Sequence, residues 1–101
     1  MPNNSFSEKC YSLLRKVPRG KVTTYKALAE ALGTKAYRAV GTAMNKNPYA
    51  PEVPCHRVVK SNGEVGEFAS GTKKKIEMLK KEGISIENNK IIDFERYLYR
   101  F

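Results

Sequence analysis

A chain of 101 residues, 41% of them hydrophobic, has the length of one compact domain, and this excludes a large multidomain enzyme within it. Nineteen Lys and Arg against ten Asp and Glu give a net charge of +9, carried mostly by residues 1–51, where nine cations face two acids, while residues 52–101 hold ten cations and eight acids. Charge gathered in one half suits a polyanion such as nucleic acid; a lysine-rich surface kept for solubility is the alternative on charge alone. No apolar run approaches the roughly 18 residues of a membrane span, and the N-terminus lacks the basic and apolar segments of a secretory signal. A soluble cytoplasmic chain without membrane contact is therefore expected, with Cys10 and Cys55 both reduced.

Ser5-Phe6-Ser7-Glu8 has the form of a capping box, and Phe6, Cys10, Leu13, Leu14 and Val17 follow at helical spacing until Pro18 and Gly20. Cys10 falls on that apolar face and reads as core. Thr23 or Thr24 caps a second helix with Tyr25, Leu28, Ala29 and Leu32 inward, and Gly33 stands where a left-handed C-terminal residue is wanted. A third helix is predicted from about Ala36 to Lys46, with small residues at Ala36, Ala39, Gly41 and Ala43. Two short helices joined by a Gly-containing turn, the second carrying Lys35, Arg38 and Lys46, form the pattern of a helix-turn-helix. A helical hairpin that only packs is the competing reading.

Three prolines within Asn45–Pro54 exclude regular helix and central strand, so this stretch is an ordered loop. It delivers Cys55-His56-Arg57 and then Val58-Val59, with Ser61-Asn62-Gly63 as a turn and Glu64-Val65-Gly66 as the return of a short hairpin. Thr72 opens a helix with Ile76, Met78 and Leu79 inward and Glu82-Gly83 at its end. Lys73, Lys74 and Lys75 are expected on its exposed face. Residues 85–101 are too apolar to be disordered and are expected to pack back on the domain, as strand or as helix.

Cys55 sits beside the single histidine, His56, and Arg57, and nearby cationic or basic groups are what turn a cysteine into a nucleophile. Neighbours on a strand point to opposite faces, so adjacency alone does not give a direct hydrogen bond between Cys55 and His56, and a bridging water is the alternative. An acidic residue could orient the imidazole, but spacing does not choose which. A small core cysteine and a structural histidine are the plainer alternative. No metal is expected, because two cysteines 45 residues apart and one histidine lack paired-ligand spacing.

Pro54-Cys55-His56-Arg57-Val58-Val59 resembles the active-site motif of the O6-alkylguanine-DNA alkyltransferases, proteins of direct-reversal DNA repair. The resemblance extends to Val22-Thr23-Thr24-Tyr25, Ala36-Tyr37-Arg38-Ala39-Val40-Gly41, Asn47-Pro48, Gly63-Glu64-Val65-Gly66 and Leu79-Lys80-Lys81-Glu82-Gly83, in order, over about residues 6–84. It implies a mainly α, winged helix-turn-helix-like single domain with a small β element over residues 1–101. This would be the family's C-terminal, DNA-binding and active-site domain, with residues 85–101 as an extension and no N-terminal domain. It also implies irreversible, single-turnover transfer of an alkyl group from O6-alkylguanine in double-stranded DNA to Cys55, by a monomer without cofactor.

Under that resemblance His56 takes the Cys55 proton through a water, Glu82 orients His56, and Tyr25 donates to guanine N3 of a base flipped from the duplex. Arg38 fills the space that the base vacates, with Ala36, Tyr37, Ala39 and Gly41 along the same DNA-facing helix. Asn47 braces the active-site turn, and the carbonyls of Cys55 and Val58 read the guanine amine. Phe68-Ala69-Ser70-Gly71 stands where relatives often carry Tyr-Ser-Gly-Gly, which removes two hydroxyls near O6 and leaves the Ala69 N–H as a donor. Alkyltransferase-like proteins, which bind lesions without transfer, typically carry tryptophan at the acceptor position, whereas this chain has Cys55 and no tryptophan. A helix-turn-helix regulator with an inert cysteine would leave the Pro54–Arg57 motif unexplained.

Overall fold

The Ser5 hydroxyl accepts from the Glu8 N–H and starts α1, Phe6–Leu14, in the computed structural model, which describes residues 5–66 and 71–101. Cys10, Tyr11 and Leu14 are buried on one side of that helix, and Val17 continues the apolar face into the following turn. Thr24, the second residue of β1 (Thr23–Thr24), accepts from the Ala27 N–H and caps α2, Tyr25–Ala31. Gly33, with φ 74°, turns the chain into α3, Tyr37–Asn45. Each cap satisfies a backbone donor that a helix end leaves unpaired, so sequence and local structure agree here for a stated reason.

Helices α2 and α3 form the expected helix-turn-helix. Val40, Ala43 and Met44 of α3 face inward, leaving Tyr37, Arg38, Ala39, Thr42 and Lys46 toward solvent. Tyr11 ties this unit to α1, its hydroxyl donating to the Ala43 carbonyl at 2.8 Å in a buried contact. Tyr11→Phe removes the donor and leaves that carbonyl unpaired, and a loss of about 1–2 kcal/mol is expected by urea denaturation. An unchanged urea midpoint would show that water replaces the lost bond.

The short β element differs from the expected hairpin. β2, Val58–Val59, pairs in parallel with β1, in the register Thr23 to Val58 and Thr24 to Val59. The return segment does turn back, with the Lys60 N–H donating to the Glu64 carbonyl at 2.9 Å, but it forms no strand with β2 and bridges the C-terminal region: Glu64 pairs with Lys90, and the Val65 N–H donates to the Asn89 carbonyl. The parallel pairing wins because alternate residues of β2 fill two cores. Val58 joins Leu14, Leu28, Val40 and Val53 beneath the helix-turn-helix, while Val59 joins Val22, Val65, Leu79 and Ile84 on the other side. Fully burying each such aliphatic side chain contributes about 1.5–3 kcal/mol, so a register that exposed either valine would lose.

Helix α4, Thr72–Lys81, begins and ends as expected, with Glu82 as its C-cap and Gly83 left-handed at φ 89°. One expectation on it fails. Lys73 and Lys74 are exposed, but Lys75 is fully buried, because it lies one turn before Leu79 on the inward face. Beyond α4 the chain forms a hairpin of β3, Ile86–Glu87, and β4, Lys90–Ile91, closed by Asn88 and Asn89 at φ 52° and 61°. Two left-handed residues suit the two-residue turn whose twist matches its strands. A short α5, Phe94–Tyr97, follows, and the tail then straddles Val22, which donates to the Tyr97 carbonyl and accepts from the Tyr99 N–H. Residues 85–101 thus pack on the domain as both strand and helix.

Candidate active site

Cys55 and His56 do not lie on a strand. They form a 3-10 turn, Cys55–Arg57, between the proline-containing loop and β2. The loop is held from both ends of the Asn47 side chain: its amide donates to the Val53 carbonyl at 2.7 Å, and its oxygen accepts from the Tyr49 N–H at 2.9 Å. The Cys55 N–H then donates to the Val53 carbonyl and the Arg57 N–H to the Pro54 carbonyl. Asn47 therefore sets the path by which the chain enters the turn. Cys55 ends up 8% exposed, at the edge of the core beneath the helix-turn-helix.

Glu82 reaches this turn from the end of α4. One carboxylate oxygen lies 2.8 Å from His56 Nε2, and Arg57 grips the same carboxylate with Nε at 2.9 Å on Oε1 and Nη2 at 2.7 Å on Oε2. The remaining terminal nitrogen of Arg57 donates to the Val17 carbonyl at 2.9 Å. This is a two-pronged guanidinium clamp on a carboxylate that is only 8% exposed. Burial alone would raise the Glu82 carboxyl, but the hydrogen bonds from Arg57 and His56 outweigh it and hold it below the usual carboxylate value. Burial pushes His56 below its usual value against the pull of Glu82, with Arg57 and Lys75 adding to the lowering.

An ionised Glu82 beside a neutral imidazole determines the tautomer. Nε2 carries the hydrogen that points at the carboxylate, and Nδ1 is left as the base. Arg57, expected from the sequence as a cationic neighbour of Cys55, gives its guanidinium to Glu82 and the Val17 carbonyl.

Tyr25 opens α2, and Arg38, Tyr37 and Gly41 lie on α3. The four line a cleft of about 390 Å³ together with Asn45 and Lys60. Gly66 closes its rim, where an added Cβ would stand 3.8 Å from the Tyr25 hydroxyl and 3.5 Å from the Lys60 side chain. Lys75 reaches the same region, its ammonium 5.8 Å from the Tyr25 ring centroid. Ala36 and Ala39 are exposed at the N-terminal part of the same helix, outside the cleft lining. Val58 lies in β2, directly after the turn. Phe68, Ala69 and Ser70 lie outside the described residues. A larger groove of about 560 Å³ between α2 and the tail contains none of the candidate residues. Among the described residues no cluster of His, Cys, Asp and Glu could hold a metal ion, and no helix is long and apolar enough to cross a membrane. Both cysteines are free, and burial raises the Cys10 thiol above its ordinary value.

A basic helix-turn-helix placed over a cysteine, a neutral histidine and a clamped carboxylate can be compared with known proteins. Residues 5–84 match the family described as 6-O-methylguanine DNA methyltransferase, DNA binding domain. The chain belongs to this family. All candidate residues from Tyr25 to Glu82 fall inside the matched range. The methylated-DNA–protein-cysteine methyltransferase of Metallosphaera sedula is 48% identical over 84 residues, which cover 83% of this chain and 53% of that protein. The chain spans about half the length, or less, of the curated relatives it matches. Among solved structures, the O6-methylguanine-DNA methyltransferase of the archaeon Pyrococcus kodakaraensis strain KOD1 aligns with a TM-score of 0.73 at 48% identity, over 80% of this chain and 47% of that one. S. pombe Atl1, in complex with damaged DNA containing O6-carboxymethylguanine, aligns with a TM-score of 0.83 at 28% identity over the whole of both chains. The mainly helical fold with a small sheet is thus a family fold, and the alignment with Atl1 takes in the tail beyond residue 84.

Proposed function

We propose that this chain is an alkyl acceptor of direct-reversal DNA repair, corresponding to the family's DNA-binding and active-site domain. An alkyl group on guanine O6 passes to Cys55 Sγ, once and irreversibly. The Sγ–C bond forms as the C–O6 bond breaks. The thiol proton goes through a water to His56 Nδ1, and the departing guanine takes a proton at N3 from Tyr25. Glu82 keeps Nδ1 free by holding Nε2–H, and Asn47 fixes the turn that presents the sulfur. A carbon bound to oxygen calls for a soft nucleophile, and a base inside a duplex must leave the stack to meet one. The α3 helix would enter the DNA groove with Tyr37, Arg38, Ala39 and Gly41, Ala36 would lie at its start, and the carbonyls of Cys55 and Val58 would read the guanine amine. Phe68, Ala69 and Ser70 belong to the substrate-binding set on this reading. Acting on cellular DNA, it would work in the cytoplasm as a single copy.

The observation that supports this reading is Cys55 followed by a neutral His56 whose outer nitrogen is held by an ionised carboxylate. A lesion-binding module without transfer is the second reading, favoured by the end-to-end alignment with Atl1. Intact mass separates the two. After incubation with duplex DNA carrying O6-methylguanine, the chain is expected to gain one methylene, about 14 Da, mapped to Cys55, and Cys55→Ala is expected to gain nothing while still binding DNA. DNA binding with no mass gain would establish the second reading.

A further inference from the structure

A base leaves the stack only if its backbone turns with it, so a flipped nucleotide carries its flanking phosphates toward the pocket that receives the base. The cleft beside Tyr25 has two cations among its lining residues, Arg38 and Lys60, and none of those residues is acidic. Lys60 follows β2 directly and has no part in the transfer chemistry. Backbone bonds hold it at the foot of a tight turn: its N–H donates to the Glu64 carbonyl and its carbonyl accepts from the Gly63 N–H, both at 2.9 Å. Its stem lies against Gly66, where an added Cβ would stand 3.5 Å from Cγ and 3.8 Å from Cε. The ammonium end stays in water. The side chain is 54% exposed, and its ion pair with Glu64 is a loose contact of 3.9 Å to a side chain 44% exposed, a geometry that holds an ammonium only weakly. Glu64 takes a shorter bond, 2.9 Å, from the Asn62 amide.

We infer that Lys60 binds a DNA phosphate next to the flipped guanine and thereby holds the extruded nucleotide over the cleft. This rests on the proposed function in taking the cleft as the entry of the flipped base. A stem fixed by its turn and an ammonium loosely paired leave Lys60 ready to exchange Glu64 for a phosphate. An ammonium is a compact point charge that suits a phosphate oxygen, and phosphate contacts fix the register of a protein on its duplex. Arg38 acts inside the duplex on the same reading, so the two cations divide the work: one fills the gap and the other keeps the nucleotide out. Methionine would keep the unbranched stem against Gly66 without charge, and arginine would restore the charge.

The test uses the full chain and duplexes carrying one O6-methylguanine, in which the phosphate on one side of the lesion or on the other is replaced by an uncharged methylphosphonate. Single-turnover transfer by the parent is expected to slow about fivefold on one of the two. Lys60→Met should be slower than the parent by the same factor on the ordinary duplex, be insensitive to that methylphosphonate, and react with a free O6-alkylguanine base within about twofold of the parent. Lys60→Arg should recover most of the rate. A Lys60→Met variant as fast as the parent on duplex, one slowed by the methylphosphonates as much as the parent is, or one slowed equally on the free base would overturn the inference. Failure of the parent to gain a methyl group would instead defeat the proposed function, and equilibrium binding of the same duplexes then decides on Lys60. Lys60→Met should shallow the salt dependence by about one phosphate contact, and an unchanged slope overturns the inference.

Discussion

Glu82→Ala is expected to lower the unfolding free energy by about 3–5 kcal/mol, a large part of the roughly 5–15 kcal/mol a domain of this size holds. The carboxylate accepts two bonds from Arg57 and one from His56, all between 2.7 and 2.9 Å. The side chains are 4% exposed at His56, 8% at Glu82 and 16% at Arg57, too little for water to replace the lost acceptor. Removing it strands a guanidinium whose other contact here is the Val17 carbonyl. Urea denaturation at pH 7 measures the loss. A change under about 1 kcal/mol would mean that the clamp is screened like a surface pair. Alkyl transfer should fall as well, because His56 loses the group that fixes its tautomer.

The same clamp predicts an acid response. Because Glu82 titrates below its ordinary 4.5 in the fold, its contribution is complete above that value and is lost as pH falls through the lower folded value. His56 is also depressed, so the unfolded chain binds the extra proton first, and stability begins to fall as pH drops through 6.5. Glu82→Gln should therefore differ most from the parent at neutral pH and least in acid. A gap between the two urea midpoints that stays constant from pH 7 to about 3 would contradict the depressed carboxyl.

The second large effect concerns Arg38. It is exposed on α3 and lines the cleft with Tyr25 and Tyr37, so Arg38→Ala should change stability by less than about 0.5 kcal/mol. On the proposed reading its side chain fills the gap left by a flipped nucleotide and offsets part of the few kcal/mol of lost stacking and pairing. Losing that should slow transfer from duplex O6-methylguanine about tenfold, equivalent to about 1.4 kcal/mol, and leave the reaction with a free O6-alkylguanine base within about twofold. Equal losses on both substrates would place Arg38 in the chemistry rather than in holding the duplex open.

Features governed by neighbouring residues were legible before the structure. Ser5 and Thr24 cap helices because their hydroxyls meet an N–H three residues later, and Gly33 and Gly83 end helices because they accept a left-handed backbone. The helix-turn-helix follows from those signals and the apolar spacing between them. The pairing of Cys55 with a basic neighbour was legible too, since the two are adjacent in the chain. The same local logic misjudged the strand after Cys55, because its partner lies 35 residues earlier and the choice depends on which core each valine fills.

What the sequence by itself determined was therefore the helices, their caps and the chemical nature of the cysteine motif, all set by contacts within a few residues. Only the tertiary structure decided that Val58–Val59 pairs with Thr23–Thr24, that Arg57 reaches 25 residues along the chain to clamp Glu82, and that Lys75 is buried while Lys73 and Lys74 stay in water. The reason is physical. A charge or a strand edge carries no local mark of its partner, and its cost or benefit is set by which groups the fold brings against it once water has been excluded.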